Sequence, residues 1–151
     1  MQHVQTRSTT SALVLTAVLI ALATLFTMYT KIPVPGIRGY FNVGDVVIMT
    51  SALLLGRKYG AYIGAIGPAL ADLFLGYAVF VPITFVVKGI EGYLVGTVYN
   101  NKTTTSALVA TIIGGIVIVA GYFIAEYFVF DPGVAIASIL TNSIQAVMSV
   151  I

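Results

Sequence analysis

Four ionisable side chains, Asp72, Lys88, Glu91 and Glu126, stand inside strongly apolar stretches of this chain. On a helix Lys88 and Glu91 are three residues apart and meet side by side, with Thr84 on the same face at i, i+4 and i+7. A second group is neutral. Ser138, Thr141, Asn142, Gln145 and Ser149 fall within about 100° of arc at ~100° per residue, and the rest of that segment is Ile, Leu, Val and Ala. Buried charges and amides cost free energy unless satisfied, so both groups must face protein or ligand. Two uses stay open for each. Lys88 and Glu91 could form an ion pair that fixes helix register or the charged part of a binding site. The neutral stripe could hydrogen-bond between helices or, through Asn142 and Gln145, hold a polar ligand.

Other chemistries lack their residues. The chain has no cysteine and its one histidine is His3, which removes thiolate chemistry and Cys/His metal sites, so no metal or cofactor is expected. There is no Gly-x-x-x-x-Gly-Lys-[Ser/Thr] phosphate loop, no His-Glu-x-x-His and no Gly-x-Ser-x-Gly. No catalytic residue is expected and the chain cannot itself hydrolyse ATP by the P-loop route. A formal net charge of +2 provides no basic field for nucleic acid.

The elements that must carry these residues follow from composition. Of 151 residues, 59% are hydrophobic and 8% charged, against about 45–50% and about 25% in a soluble domain. Three windows without charge are long enough to cross a hydrocarbon layer about 30 Å thick at ~1.5 Å per residue. They run from Ser8 to Thr30, from Thr103 to Ala125 and from Pro132 to Ile151. The first exceeds a signal-peptide core of ~7–15 residues and lacks a small-x-small cleavage site before Lys31, so it reads as a retained span. Between Lys31 and Lys102 turn signals divide the chain instead. Residues 31–42 hold two prolines and two glycines and read as a long loop, 56–60 as a tight basic turn, 76–82 as a short turn with Pro82 at a first helical position, and 100–102 as a polar turn. The expected fold is an all-α integral membrane domain over 1–151, with six spans at about 10–30, 43–56, 59–77, 81–99, 104–127 and 133–151.

The twelve charges then sort into three sets of four. Arg7, Arg57, Lys58 and Lys102 lie on one side, which the excess of basic residues makes cytoplasmic together with the N-terminus. Lys31, Arg38, Asp45 and Asp131 edge the outer surface. Asp72, Lys88, Glu91 and Glu126 stay within the spans, where each would cost about 2.5–3.5 kcal/mol unpaired. Counting from Pro82 and Tyr77 places Lys88 about 9 Å and Asp72 about 7.5 Å below the outer ends of their helices. Glu126 lies one turn above Tyr122, so all four cluster in the outer half. The apolar end at Ile151, with no basic flank, suggests a further tail.

Small residues mark two close-packing faces. Gly60, Gly64, Gly67 and Ala71 read as internal packing of the third helix. Ala17, Ala21, Thr24 and Met28 share a face of the first helix, for which internal packing and docking of another membrane subunit are both open. The halves show no convincing inverted repeat of the secondary-transporter kind.

Residues 53–96 carry Gly-x-Lys-Tyr-Gly-Ala (56–61), Ala-Leu-Ala-Asp-Leu (69–73), Gly-Tyr (76–77) and Lys-Gly-x-Glu-Gly (88–92). In these motifs, and more loosely along its whole length, the chain resembles the S components of energy-coupling factor (ECF) vitamin transporters, in particular the riboflavin, pyridoxine or hydroxymethylpyrimidine branch. The resemblance implies a six-helix bundle of the prokaryotic plasma membrane that captures a vitamin beneath its first loop. It also implies a partner T component, met through Ala17 and Ala21, and two ATPase A components. The expected vitamin site comprises Lys88, Glu91, Tyr122, Glu126, Asn142 and Gln145, closed by residues 31–42. Asp72 either touches ligand or braces the fourth helix. With no tryptophan to stack a large ring, pyridoxine or hydroxymethylpyrimidine is the expected substrate. Riboflavin, or an ion- or proton-coupled transporter using the four intramembrane charges, is the alternative.

Overall fold

The computed structural model describes residues 9–33, 40–99 and 103–150. Arg7, Arg38 and Lys102, and residues 34–39 of the first loop, lie outside the described residues. Within them the chain forms α1 (Thr9–Tyr29), a short antiparallel pair β1 (Ile32–Pro33) and β2 (Tyr40–Phe41), then α2 (Asp45–Leu55), α3 (Arg57–Phe74), α4 (Phe80–Val98), α5 (Thr104–Val129) and α6 (Pro132–Val150). In the ribbon Ile32 faces Phe41 and Pro33 faces Tyr40.

Each boundary has a local cause. Gly56 alone joins α2 to α3, in a left-handed conformation (φ +86°) that a side chain would strain. The expected five-residue turn therefore shrinks to one residue, and Arg57 and Lys58 open α3. Gly76 (φ +82°) ends the α3 region in the same way. Pro82 is the third residue of α4 rather than the first, because the helix begins at Phe80. α5 opens on a capping box in which the Thr103 hydroxyl accepts from Ser106 N–H and the Ser106 hydroxyl accepts from Thr103 N–H.

α1, α4, α5 and α6 are long and apolar enough to cross a membrane. α2 is not. Its 11 residues rise about 16 Å, half the hydrocarbon thickness. This shortness corrects one expectation. A helix of only 11 residues that ends at Gly56 cannot lift Asp45 to the outer surface; Asp45 lies inside the bundle, 1% exposed. The end of the first loop descends to meet it, and Asn42 and Gly44 are buried too.

The glycine face of α3 packs internally. A Cβ on Gly60 would sit 2.6 Å from the Gly92 carbonyl oxygen of α4, one on Gly64 would collide with the Lys88 carbonyl, and one on Gly67 would sit 2.7 Å from the Ala23 Cβ of α1. α3 and α4 thus meet backbone to backbone, which in lipid replaces the hydrophobic drive between helices. The face expected on α1 divides. Thr24 turns inward and donates to the Gly67 carbonyl at 2.9 Å, whereas Ala17 and Ala21 are exposed beside Val14, Val18 and Leu25. Large apolar side chains such as Leu54, Ile116, Phe128 and Leu140 coat the outside, and Asp45, Asp72, Lys88, Glu91, Glu126, Asn142 and Gln145 are sealed within. That inversion is the arrangement a bilayer demands.

Candidate functional site

Every helix except α2 contributes side chains to one polar cavity at the end of the bundle nearest the first loop. α4 supplies Phe80, Thr84 and Lys88, one turn apart; α6 supplies Ser138, Thr141, Asn142 and Gln145 from its polar stripe; α5 supplies Tyr122 and Glu126. Thr27 enters from α1, Pro68 and Asp72 from α3, and Tyr40 and Asn42 from the end of the first loop. Among these residues only about 40 Å³ admits the centre of a water molecule. That is room for roughly three waters at ~10–15 Å³ each. The cavity is small.

The base of the cavity is charged. Lys88 Nζ donates to Asp45 Oδ1 at 2.5 Å and lies 3.3 Å from Glu91 Oε2. Gln145 Nε2 donates to the other Asp45 oxygen at 2.7 Å, and its own carbonyl accepts from Asn42 N–H at 3.0 Å. The Asn42 side chain in turn accepts from Gly44 N–H at 2.8 Å. One connected network therefore joins α2, α4, α6 and the first loop. The Lys88 ammonium also stands 5.6 Å from the centre of the Tyr122 ring, whose hydroxyl shares a 2.9 Å hydrogen bond with Thr84.

The upper wall is built from aromatic rings. Tyr40 Oη donates to Asp72 Oδ1 at 2.6 Å, which ties the β2 strand to α3. Burial, and next the Asp72 carboxylate, push the Tyr40 hydroxyl above its ordinary range, so it stays a donor. Tyr40 packs on Tyr77 with ring centres 5.0 Å apart, and Lys31 Nζ lies over both rings at 6.0 and 5.4 Å. On the far side the Glu126 carboxylate accepts a hydrogen bond from the Ser138 hydroxyl.

Five of the six expected site residues line this cavity: Lys88, Tyr122, Glu126, Asn142 and Gln145. Glu91 does not. It is fully buried and holds Lys88 from behind. Asp72 lines the cavity, and its carboxylate is hydrogen-bonded both to Tyr40 of the first loop and to Thr84 of α4. Sequence reasoning missed Asp45 and Thr27, and it included Tyr40 and Asn42 only as part of the closing segment 31–42. Asp45 had a signal, since the distance to Gly56 limits how far its helix reaches. Two polar atoms of the lining are buried without a hydrogen-bond partner, Asn142 Nδ2 and Thr27 Oγ1. Buried polar atoms are nearly always paired, so these two have hydrogen-bonding capacity to spare; both carboxylate oxygens of Glu91, outside the lining, also lack a hydrogen bond. Among the described residues no three His, Cys, Asp or Glu side chains form a group able to hold a metal.

Comparison with known proteins agrees with this architecture. Residues 7–151 match the family described as ECF-type riboflavin transporter, S component. The chain is 41% identical over 131 residues to a Pyrococcus woesei protein described as "Uncharacterized protein in gap 3'region", covering 85% of this chain and 86% of that one. It is 31% identical over 134 residues to the thiamine precursor transporter HmpT of Lactococcus lactis subsp. cremoris, covering 88% of this chain and 75% of the relative.

Proposed function

Because the chain belongs to the family of ECF-type riboflavin transporter S components, a family of multi-pass membrane transport subunits rather than enzymes, we propose that it captures hydroxymethylpyrimidine for uptake. The observation that carries the choice of substrate is the cavity itself, small and lined by an unpaired amide and by carboxylates. A substituted aminopyrimidine is flat, offers ring nitrogens to the Asn142 amide, and has an exocyclic amine and a hydroxyl for the Glu126 and Asp72 carboxylates. Similarity to a thiamine precursor transporter supports the same choice.

The energetics also favour enclosure. With about 10 heavy atoms, nanomolar binding at about −12.3 kcal/mol requires about −1.2 kcal/mol per atom, close to the ceiling for small ligands. Only a site that surrounds its ligand reaches that value. In this reading Lys88, Tyr122, Glu126, Asn142 and Gln145 contact the substrate, Glu91 and Asp45 set the position of the Lys88 ammonium, and the first loop closes above. Pyridoxine is similar in size but carries no exocyclic amine. Riboflavin, more than twice as large, needs a wider chamber.

The chain carries no phosphate loop, so energy for release comes from partners: a T component seated on the exposed Ala17 and Ala21 face of α1, and two ATPases. The N-terminus and the Arg57–Lys58 start of α3 face the cytoplasm. Titration calorimetry of the purified protein against hydroxymethylpyrimidine, pyridoxine, riboflavin and thiamine tests the assignment. Nanomolar binding of the pyrimidine, at least tenfold tighter than the others, is expected. Preference for riboflavin would overturn the choice of substrate, and no heat with any of the four, together with ion flux into liposomes, would overturn the capture role.

A further inference from the structure

Thr27 behaves unlike Thr16 and Thr24 of the same helix and Thr30 just beyond its end. Thr16, Thr24 and Thr30 each donate to the carbonyl four residues earlier, at 2.7, 2.9 and 2.6 Å. This is the ordinary way for a hydroxyl on an apolar helix to satisfy itself. Thr27 is 1% exposed, and its Oγ1 makes no such bond to Ala23 or to anything else. It opens onto the same cavity as the unpaired Asn142 amide. Its position is also tightly fixed, since a Cβ on Gly44 would collide with Thr27 Oγ1. One turn on, Thr30 Oγ1 accepts from Val43 N–H at 3.0 Å and fastens the loop end to α1.

A rigidly held hydroxyl kept without a partner in a polar cavity is a cost to folding, and it is recovered when a ligand supplies the missing bond. We propose that Thr27 is a substrate-binding residue, its hydroxyl forming one hydrogen bond with a nitrogen or hydroxyl of the heterocycle while the Asn142 amide of α6 forms another. The inference rests on the reading of this cavity as the substrate site. It adds α1, the helix whose exposed face carries Ala17 and Ala21, to the elements that touch the ligand.

The test uses the whole purified chain and, as ligand, whichever of the four vitamins the wild type binds most tightly. Thr27→Val removes the hydroxyl at nearly constant shape. It is expected to weaken binding about 10- to 100-fold, that of one to two hydrogen-bond equivalents at tenfold per ~1.4 kcal/mol, while the melting temperature of the ligand-free protein stays level or rises. Thr27→Ser should bind within about threefold of wild type. A purely structural Thr27 would give the reverse, lowered stability with unchanged affinity, and Thr27→Val binding within twofold of wild type would overturn the proposal. Should Thr27→Val fold poorly, Thr27→Cys supplies the only thiol of an otherwise cysteine-free chain. Saturating ligand should slow its alkylation at least tenfold, and an unchanged rate would overturn the proposal. Binding of riboflavin in place of the pyrimidine would sink the substrate assignment, and the same variants measured with riboflavin would still decide the role of Thr27. Binding of none of the four would overturn both.

Discussion

Removing the Lys88 ammonium is expected to damage the protein more than removing the Asp45 carboxylate that faces it. Lys88 Nζ lies 2.5 Å from Asp45 and 3.3 Å from Glu91, with all three side chains sealed from solvent. At an effective dielectric of about 20 these separations correspond to attractions of roughly 7 and 5 kcal/mol. Much of that only offsets the several kcal/mol needed to desolvate each ion. Lys88→Met loses both attractions and leaves two carboxylates buried with no cation, for an expected loss of about 3–5 kcal/mol. Asp45→Asn keeps one cation beside one anion, so its cost is that of a charge-assisted hydrogen bond, about 1.5–3 kcal/mol. For a chain of this size ~1 kcal/mol moves the melting temperature by about 2–4 °C. The drops are then about 6–20 °C and about 3–12 °C, and the ordering between variants matters more than either value. Heating detergent-solubilised, ligand-free protein and measuring the monodisperse fraction by size exclusion reads both. The double variant should melt above Lys88→Met alone, because one of the two stranded carboxylates has gone. If Asp45→Asn melts as low as Lys88→Met, or the double variant melts lowest of the three, the charge accounting is wrong.

Tyr40→Phe removes the bond that ties the first loop to Asp72, and a loss of about 1–2 kcal/mol should speed vitamin release about 5- to 30-fold in a filter-binding chase. Because the Tyr40 hydroxyl titrates above its ordinary value of 10.0 in the folded protein, its contribution is complete below about pH 10 and declines only above that. The gap between wild type and Tyr40→Phe should therefore be flat from about pH 7 to 9.5, and a gap that closes within this window would contradict the latch. Gly92→Ala pushes a methyl group into the Gly60 carbonyl; overpacking of about 1–3 kcal/mol should lower the melting temperature and weaken binding at Lys88, one turn away. In the cysteine-free chain, Lys58→Cys should react with a membrane-impermeant maleimide only from the inside of vesicles and Tyr29→Cys only from the outside, and the opposite pattern would invert the assigned topology. Ala17→Leu should leave vitamin affinity unchanged while preventing co-purification with a T component, whereas retained assembly would move the docking face elsewhere.

What could be read from the residues, and what could not, divides along the range of the interactions. The Lys88 and Glu91 pair and the inward stripe of α6 were legible because both are local: residues three, four or seven apart on one helix share a face whatever the rest of the chain does. The packing face of α3 was legible for the same reason, since Gly60, Gly64 and Gly67 recur on one side of a single helix. Asp45 was misplaced because an acidic residue beside a loop, in the first turn of a helix, ordinarily faces solvent and favours the helix dipole. Its true partners are Lys88, 43 residues away, and Gln145, 100 residues away, and no periodicity connects residues so distant. Helix length was the available signal, since 11 residues fall short of a span and leave the start of α2 buried inside the bundle. Thr27 lay beyond any such reasoning. Threonines on apolar helices normally satisfy themselves, as Thr16, Thr24 and Thr30 do here, and only the packing of Gly44 and the cavity around it makes Thr27 the exception. Its unpaired hydroxyl and the unpaired Asn142 amide arise from tertiary structure, on helices at opposite ends of the chain. The surplus polar valence of this site is therefore set by how α1 and α6 are brought together, and changes in how those helices pack should alter ligand affinity even when no residue touching the cavity is replaced.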